Sequence, residues 1–409
     1  MPISRRAMLR NMGRGAGAIV GGALLAGCEL DRSGTGASPS AASEPITDWP
    51  AWWQRQPQFN RLNFANWPYY IDIAQGNRHP SLELFEQETG IKMHYFRTID
   101  GNDTFMQEIE PYLGAGLPPF YDLIVMTNGI EVTKLINSGW LTPLDPLRME
   151  NFNRYASELV RDPPWDPGNT YTVAWQSGLT GIAYRPEAME ALGRRPRSIG
   201  DLFDPALEGR VGMMSDSLDL GSAGLLELGI DPATSTEADW LKAADRLREQ
   251  RAAGLVRQYY AQSYLGALRS GEIWASQAWS GDVFQAQQLG SEGLRFVVPE
   301  EGAILWTDNL MITRNARHPV DAMNYIDFVY RPDVAAMIAD WVWYISPVPA
   351  ARRIIANRFE HPDVAQSPLV FPTADTLAPT GSLRHYRVFE NDEAADTWTA
   401  IFGSIQFGL

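Results

Sequence analysis

The chain reads as an α/β protein built in two lobes, and three features of its sequence carry that reading. Its 409 residues exceed what one hydrophobic core commonly serves. Extended and helical stretches alternate from about residue 60 to residue 139, a pattern that calls for a largely parallel sheet with helices on both faces. A second alternating set begins near residue 171. Hydrophobic residues make up 45% and aromatics 11%, enough for well-packed cores.

Residues 61–64 form a first short strand. Pro80 opens a helix that stops near Gly90, with proline at the start and glycine past the end. A strand at 91–96, a helix at 103–113, a buried strand at 121–126 and a helix at 131–137 ending at Gly139 complete the first set. In the second set, 171–175 and 181–184 read as two strands joined by Gln176-Ser177-Gly178-Leu179-Thr180. Residues 211–214 form the next strand. Residues 236–250 form an amphipathic helix with Trp240, Leu241, Ala244 and Leu247 on one face and the capping spacing of Thr236 and Asp239. A helix at 264–268, a strand at 273–277, a helix at 283–289, a strand at 294–298 and helices at 320–330 and 333–341 follow. The tail after Ser367 is less regular, broken by Pro368, Pro372 and Pro379.

The start of the chain reads as a leader. Residues 1–27 run from a basic, acid-free region with Arg5 and Arg6 through a short apolar stretch to small residues, the order of a signal peptide. The apolar stretch is too short to span a bilayer. Ser4-Arg5-Arg6 resembles a twin-arginine signal, and Leu25-Ala26-Gly27-Cys28 resembles a bacterial lipobox, with Cys28 as the lipidated residue. Cys28 is the one cysteine of the chain, so no intrachain disulfide can form. Residues 28–57 are assigned to the lipidated cysteine and a flexible tether, because 29–48 is rich in Ser, Ala, Gly and Pro and poor in apolar surface. The expectation is an exported protein in the periplasm or on the outer cell surface, held to a membrane through its lipid alone.

Formal net charge is −15, and past residue 27 the chain carries 49 acids against 30 bases. Such a surface repels nucleic acid and anionic membrane. The five histidines, His79, His94, His318, His361 and His385, lack metal-ligand spacing on one helix, so no metal or cofactor is expected. No nucleophile elbow, phosphate loop or dinucleotide fingerprint occurs. A carboxylate-dependent hydrolase stays open on residue types alone.

What stands out is aromatic residues beside carboxylates at strand ends and turns: Trp67 to Tyr70, Asp216 with Asp219, Trp279, Trp306 with Asp308, and Trp343-Tyr344. Large aromatics at strand ends suit a cleft between lobes, and they suit core packing equally. Asp216 and Asp219 also sit where a helix should begin and could cap it.

Several runs resemble one family. Asn66-Trp67-Pro68-Tyr69-Tyr70-Ile71 resembles the first-strand motif of the spermidine/putrescine receptors, the bacterial polyamine-binding proteins of ABC importers. Tyr121 to Val125 resembles their third strand, and Leu202 to Val211 the start of their second lobe. The longest similarity, 271–351, includes Trp279-Ser280-Gly281-Asp282, Leu305-Trp306-Thr307-Asp308-Asn309-Leu310 and Ser346-Pro347-Val348-Pro349.

The resemblance implies a two-lobed periplasmic-binding-protein type II-like fold, each lobe a mixed, mostly parallel sheet flanked by helices, with a ligand cleft at the hinge. Lobe one would take 58–178 plus 308–344, and lobe two 179–307 plus 345–409. The family's stacking aromatics fall on Trp67, Tyr70, Trp279, Trp306 and Tyr344, its amine-binding carboxylates on Asp216, Asp219 and Asp308, and Thr127 could keep a hydroxyl contact. The implied partners are a polyamine-like small cation and an ABC permease of the inner membrane, with the protein a monomer and not an enzyme. Three positions depart from the pattern: Pro68 replaces a hydroxyl residue, an aromatic is absent near Asn128, and Asp219 is one methylene shorter than the usual Glu. Another organic amine or amino-acid-derived ligand is the alternative within the same fold.

Overall fold

Two long neighbouring strands organise the molecule. The computed structural model describes residues 46–373 and 383–408; Arg5, Arg6, Cys28 and most of the expected tether lie outside the described residues. The strands are β1 (Arg61–Asn66), β2 (Lys92–Arg97), β3 (Leu123–Thr127), β4 (Thr172–Tyr184), β5 (Val211–Met214), β6 (Val256–Tyr260), β7 (Ala275–Trp279), β8 (Arg295–Val297), β9 (Ala303–Ile312) and β10 (Leu383–Arg384). They join in the order β2-β1-β3-β9-β4-β7-β5-β6, with β10 on β9 and β8 on β4. Pairs among β1, β2 and β3 are parallel, as are those among β5, β6 and β7. β4 and β9 are antiparallel to each other, and each is antiparallel to its outer neighbour, β7 or β3.

β4 and β9 therefore belong to both lobes. β9 pairs with β3 through residues 308–312, in lobe one. β4 pairs with β7 through 180–184, in lobe two. Between these ends the two strands hold each other, from Gln176 opposite Asp308 to Thr180 opposite Ile304. The expected loop at 176–180 is instead the middle of one continuous strand. Its backbone groups find partners on β9, and a register shift between Ala174 and Gln176 absorbs the irregularity. A third chain passage touches the same place, where Ile345 bridges Ser177.

Other departures have local causes. β6 was not expected: its outward residues are polar and exposed, as at a sheet edge, so it lacks the hydrophobic pattern of a buried strand. Within the stretch expected as tether, Trp49–Arg55 is a helix capped by Asp48, whose carboxylate accepts from Ala51 N at 2.9 Å. Trp53 on it is 2% exposed and donates to Pro143 O at 3.0 Å, so the tryptophans supply the apolar area the rest of the tether lacks. Ala351–Ile354, expected in lobe two, packs instead on Pro332–Val342, which rests on Pro80–Thr89 of lobe one, and Pro362–Gln366 packs on Ala351–Ile354 and the turn Ile355–Phe359. Chain from Leu383 onward packs on β9 and on the helices Ser217–Glu227 and Glu237–Ala252. In that tail the helix Asp392–Gly403 seats the fully buried Trp398 against Gly221 of the helix Ser217–Glu227, where a Cβ would come within 2.5 Å of the indole.

Close approach also fixes Gly178, in the shared middle of β4: a Cβ there would run into the six-membered ring of Trp306. Gly178→Ala should destabilise the protein by about 1–3 kcal/mol, since overpacking at a rigid ring forces a shift. Urea unfolding checks this; an unchanged midpoint would show that the indole moves freely.

Candidate functional site

Register on the shared strands builds one end of the site. Thr127 ends β3 directly opposite Asp308 on β9, so both side chains leave the same face of the sheet. Thr127 Oγ1 donates to Asp308 Oδ1 at 2.5 Å. Tyr70, carried by the turn after β1, donates its hydroxyl to Asp308 Oδ2 at 2.5 Å. Asp308 is 4% exposed, and burial pushes its carboxyl up to about 6, against the pull of those two hydroxyls. Burial and the Asp308 charge raise the Tyr70 phenol far above its ordinary value, which keeps it a donor.

The other end is built on lobe two. Asp216 caps the helix Ser217–Glu227, its Oδ1 accepting from Leu218 N at 2.9 Å and Asp219 N at 3.0 Å. Two acids in one turn offset the positive helix end, making it a place for a cation rather than a phosphate. Asp216 is exposed to solvent; desolvation first, then the charges of Asp219 and Glu131, raise its carboxyl. Glu131, at the start of the lobe-one helix Ile130–Asn137, is itself raised by burial first and by Asp103. The two helix starts are close: a Cβ on Gly129, at φ +152°, would stand 2.6 Å from Leu218 Cδ1.

Asp219 is different. It is 1% exposed and accepts from Thr180 Oγ1 at 2.8 Å, Tyr386 OH at 2.7 Å and Trp279 Nε1 at 3.0 Å. Both its oxygens are thus engaged by protein donors.

Between the two ends runs a chain of rings. Trp279 meets Trp306 edge-on at 6.2 Å, Trp306 meets Tyr344 at 5.5 Å, and Tyr344 meets Tyr70 edge-on at 5.7 Å. Tyr344 OH donates to Asp282 Oδ1 at 2.6 Å, and Tyr264 OH to Asp282 Oδ2 at 2.8 Å. Trp67 is half-buried and packs against the lobe-one core. Asn128 turns onto β9, its Oδ1 accepting from Thr307 N at 2.7 Å, and its neighbour Thr127 keeps the hydroxyl on Asp308.

Of the expected site residues, the structure therefore gathers Tyr70, Thr127 and Asp308 in one cluster and Asp219 and Trp279 in another, with Trp306 and Tyr344 between. Sequence reasoning missed Glu131, Thr180, Tyr264, Asp282 and Tyr386. Asp282 lay in the Trp-Ser-Gly-Asp run already singled out. Thr180 was hidden by the loop assignment, and Tyr386 sits in a tail without periodicity. Among the described residues no group of three or more His, Cys, Asp or Glu could hold a metal. Aromatic faces and desolvated carboxylates are a setting for an organic cation.

The profile of the family described as bacterial extracellular solute-binding protein matches residues 119–378. The spermidine/putrescine-binding periplasmic protein of Escherichia coli K12 is 28% identical over 321 residues, 78% of this chain and 85% of that protein. The putrescine/cadaverine-binding protein of Pseudomonas aeruginosa is 27% identical over 355 residues, 83% of this chain and 93% of that protein. Among solved structures, a putative spermidine/putrescine ABC transporter protein from Listeria monocytogenes superposes with a TM-score of 0.70 at 24% identity, covering 85% of this chain and 99% of that one. That likeness shows the fold: two α/β lobes of the type II periplasmic-binding-protein kind.

The raised Asp308 carboxyl sets a pH dependence. A folded pKa of about 6 against an ordinary 3.8 means the native state binds the proton more tightly than the unfolded chain. Stability without ligand therefore falls as pH rises between those values, by about 3 kcal/mol for two units. Asp308→Asn removes that loss. Measured against the parent without ligand, the variant should gain in melting temperature from pH 4 to pH 7. A difference that stays flat or reverses over this range would show that Asp308 is not desolvated.

Proposed function

From the chain's membership of the bacterial extracellular solute-binding protein family, we propose that it captures a polyamine, a spermidine- or putrescine-like cation, in the cleft between its lobes and delivers it to an ABC permease of the inner membrane. The observation that carries this reading is the buried Asp308 carboxylate on a strand shared by both lobes, beside the run of aromatic rings. As a solute-binding transport protein the chain is not an enzyme.

The chemistry suits such a ligand. A polyamine is a methylene chain carrying ammonium groups. Trp67, Tyr70, Trp279, Trp306 and Tyr344 would cover the methylenes and attract the cations, at about 0.5–2 kcal/mol per cation–π contact. Asp308, with Thr127 beside it, would accept one ammonium and Asp216 another, through charge-assisted hydrogen bonds. The contact at Gly129 and Leu218 supports lobe closure as the capture step, since a ligand touching both lobes favours the closed state. The names of the two relatives, which bind spermidine, putrescine or cadaverine, support the ligand class. Export through the leader at 1–27 and a lipid anchor on Cys28 complete the reading.

Asp308→Asn and Asp216→Asn should each lose roughly 1.5–3 kcal/mol of binding, or about ten- to more than a hundredfold in affinity, for putrescine, cadaverine and spermidine by titration calorimetry. Trp306→Ala should lose about 1–3 kcal/mol. A parent that binds none of these amines, while a neutral or anionic solute raises its melting temperature, would overturn the cation reading. For the anchor, Cys28→Ala should move the protein out of the membrane fraction. Fractionation identical to the parent would dispose of lipidation at that residue.

A further inference from the structure

Trp343 has a backbone conformation that bulky side chains rarely adopt. It follows the last residue of the helix Pro332–Val342 at φ 63° and ψ 30°, in the left-handed region, where a helix end ordinarily places glycine. Seven other non-glycine residues have positive φ among the described residues. Five are Asn or Asp, which tolerate that region, and the other two, Tyr69 and Glu360, are exposed. Trp343 is 3% exposed, so of the eight it alone is both bulky and enclosed.

Its side chain helps to hold the turn. The last four carbonyls of a helix have no partners further along it. Trp343 N donates to Ala339 O at 3.1 Å and its indole Nε1 to Asp340 O at 2.7 Å, so the residue caps its own helix. Gln285 Nε2, on the lobe-two helix Ser280–Gln288, donates to Val342 O at 3.3 Å. The Trp343 ring meets Phe284 of that same helix edge-on, at 5.8 Å and 71°. Glycine would adopt the turn more easily and could make neither indole contact.

Directly after the turn comes Tyr344, the ring between Trp306 and Tyr70 in the aromatic run. It lies on Gly281, where a Cβ would stand 2.5 Å from the ring, and its hydroxyl reaches Asp282. Ile345 then exchanges both main-chain hydrogen bonds with Ser177 of β4, at 2.8 and 3.0 Å. The chain is thus fixed on both sides of Tyr344, by the turn before it and the bridge after it. A right-handed residue at 343 would continue the helix and carry Tyr344 away from that bridge.

We propose that Trp343 is a positioning residue for the cleft: by holding the left-handed turn at the end of the helix Pro332–Val342 it sets the Tyr344 ring in the aromatic run, and its indole, seated on Phe284, ties that setting to the lobe-two helix Ser280–Gln288. The inference rests on the polyamine reading for its ligand arms alone.

Alanine and glycine at this position separate the turn from simple core packing, because both delete the indole and only glycine adopts the turn unaided. Titrated with putrescine and with spermidine, Trp343→Ala should bind about tenfold more weakly than the parent, and Trp343→Gly should stay within about threefold of it. In a Tyr344→Ala background the two should differ by less than about twofold, since the ring they place is gone. Equal losses for alanine and glycine, or a difference that survives without the Tyr344 ring, would overturn the proposal. Phe284→Leu covers the case of an alanine variant that does not fold. It should weaken binding about threefold in the parent and leave Trp343→Gly unchanged, because glycine needs no support for the turn. Equal effects in both would count against the role just as firmly. A further arm needs no ligand. With residues 211–214 as internal reference, Trp343→Ala should speed amide exchange at Ser177 and Ile345 in the free protein, and Trp343→Gly should not. Unchanged exchange in the alanine variant would sink the inference. If the parent binds neither amine, the polyamine reading fails while the exchange arm still decides whether Trp343 sets the turn.

Discussion

The antiparallel pairing of β4 with β9 is the constraint on which the rest of the molecule depends. Every residue of both strands is buried, and each strand gives one end to each lobe. The lobes are therefore joined by a continuous hydrogen-bonded ladder rather than by flexible linkers. The same ladder delivers functional groups to the boundary: Asp308 from β9, Thr180 from β4, and Trp306 laid on Gly178. A one-residue slip would turn Asp308 and Thr127 to opposite faces and separate the hydroxyl from the carboxylate.

Electrostatics at the boundary raises all three acids. Burial raises the Asp219 carboxyl against the pull of three donors. Asp308 is desolvated with two, and its carboxyl remains well above the ordinary range. The charge of Glu131, on the lobe-one helix Ile130–Asn137, adds to the raising of the Asp216 carboxyl. Carboxylates left short of compensation favour a bound cation, because the ligand restores what burial removed.

Much of the fold was legible because its signals are local. Helix ends were marked by Pro80 and Gly90, by Thr236 with Asp239 and by Asp216, and the structure has helices at all three. Strand alternation gave the two α/β sets. Where the reading failed, the deciding partner lay elsewhere in the chain. Residues 176–180, with a glycine and two hydroxyls, look like a turn until β9 is laid beside them. Trp49–Arg55 looks like tether until the floor of lobe one receives Trp53. The helix Asp392–Gly403 was lost among the prolines before it, yet Trp398 makes it part of the lobe-two core.

By itself the sequence determined the kind of layers and supplied the acids and aromatics of the boundary, through composition, periodicity and short runs that act within a few residues of chain. The family resemblance added the choice of Trp67, Tyr70, Thr127, Asp216, Asp219, Trp279, Trp306, Asp308 and Tyr344. Tertiary structure alone decided who satisfies whom. Asp308 meets Thr127 from 181 residues away and Tyr70 from 238, and Asp219 meets Tyr386 from 167. Such partnerships depend on strand register and lobe packing, which no local pattern encodes. They set Thr127 and Tyr70 on Asp308, and Thr180, Trp279 and Tyr386 on Asp219, so that each buried acid is held by chain from distant parts of the sequence.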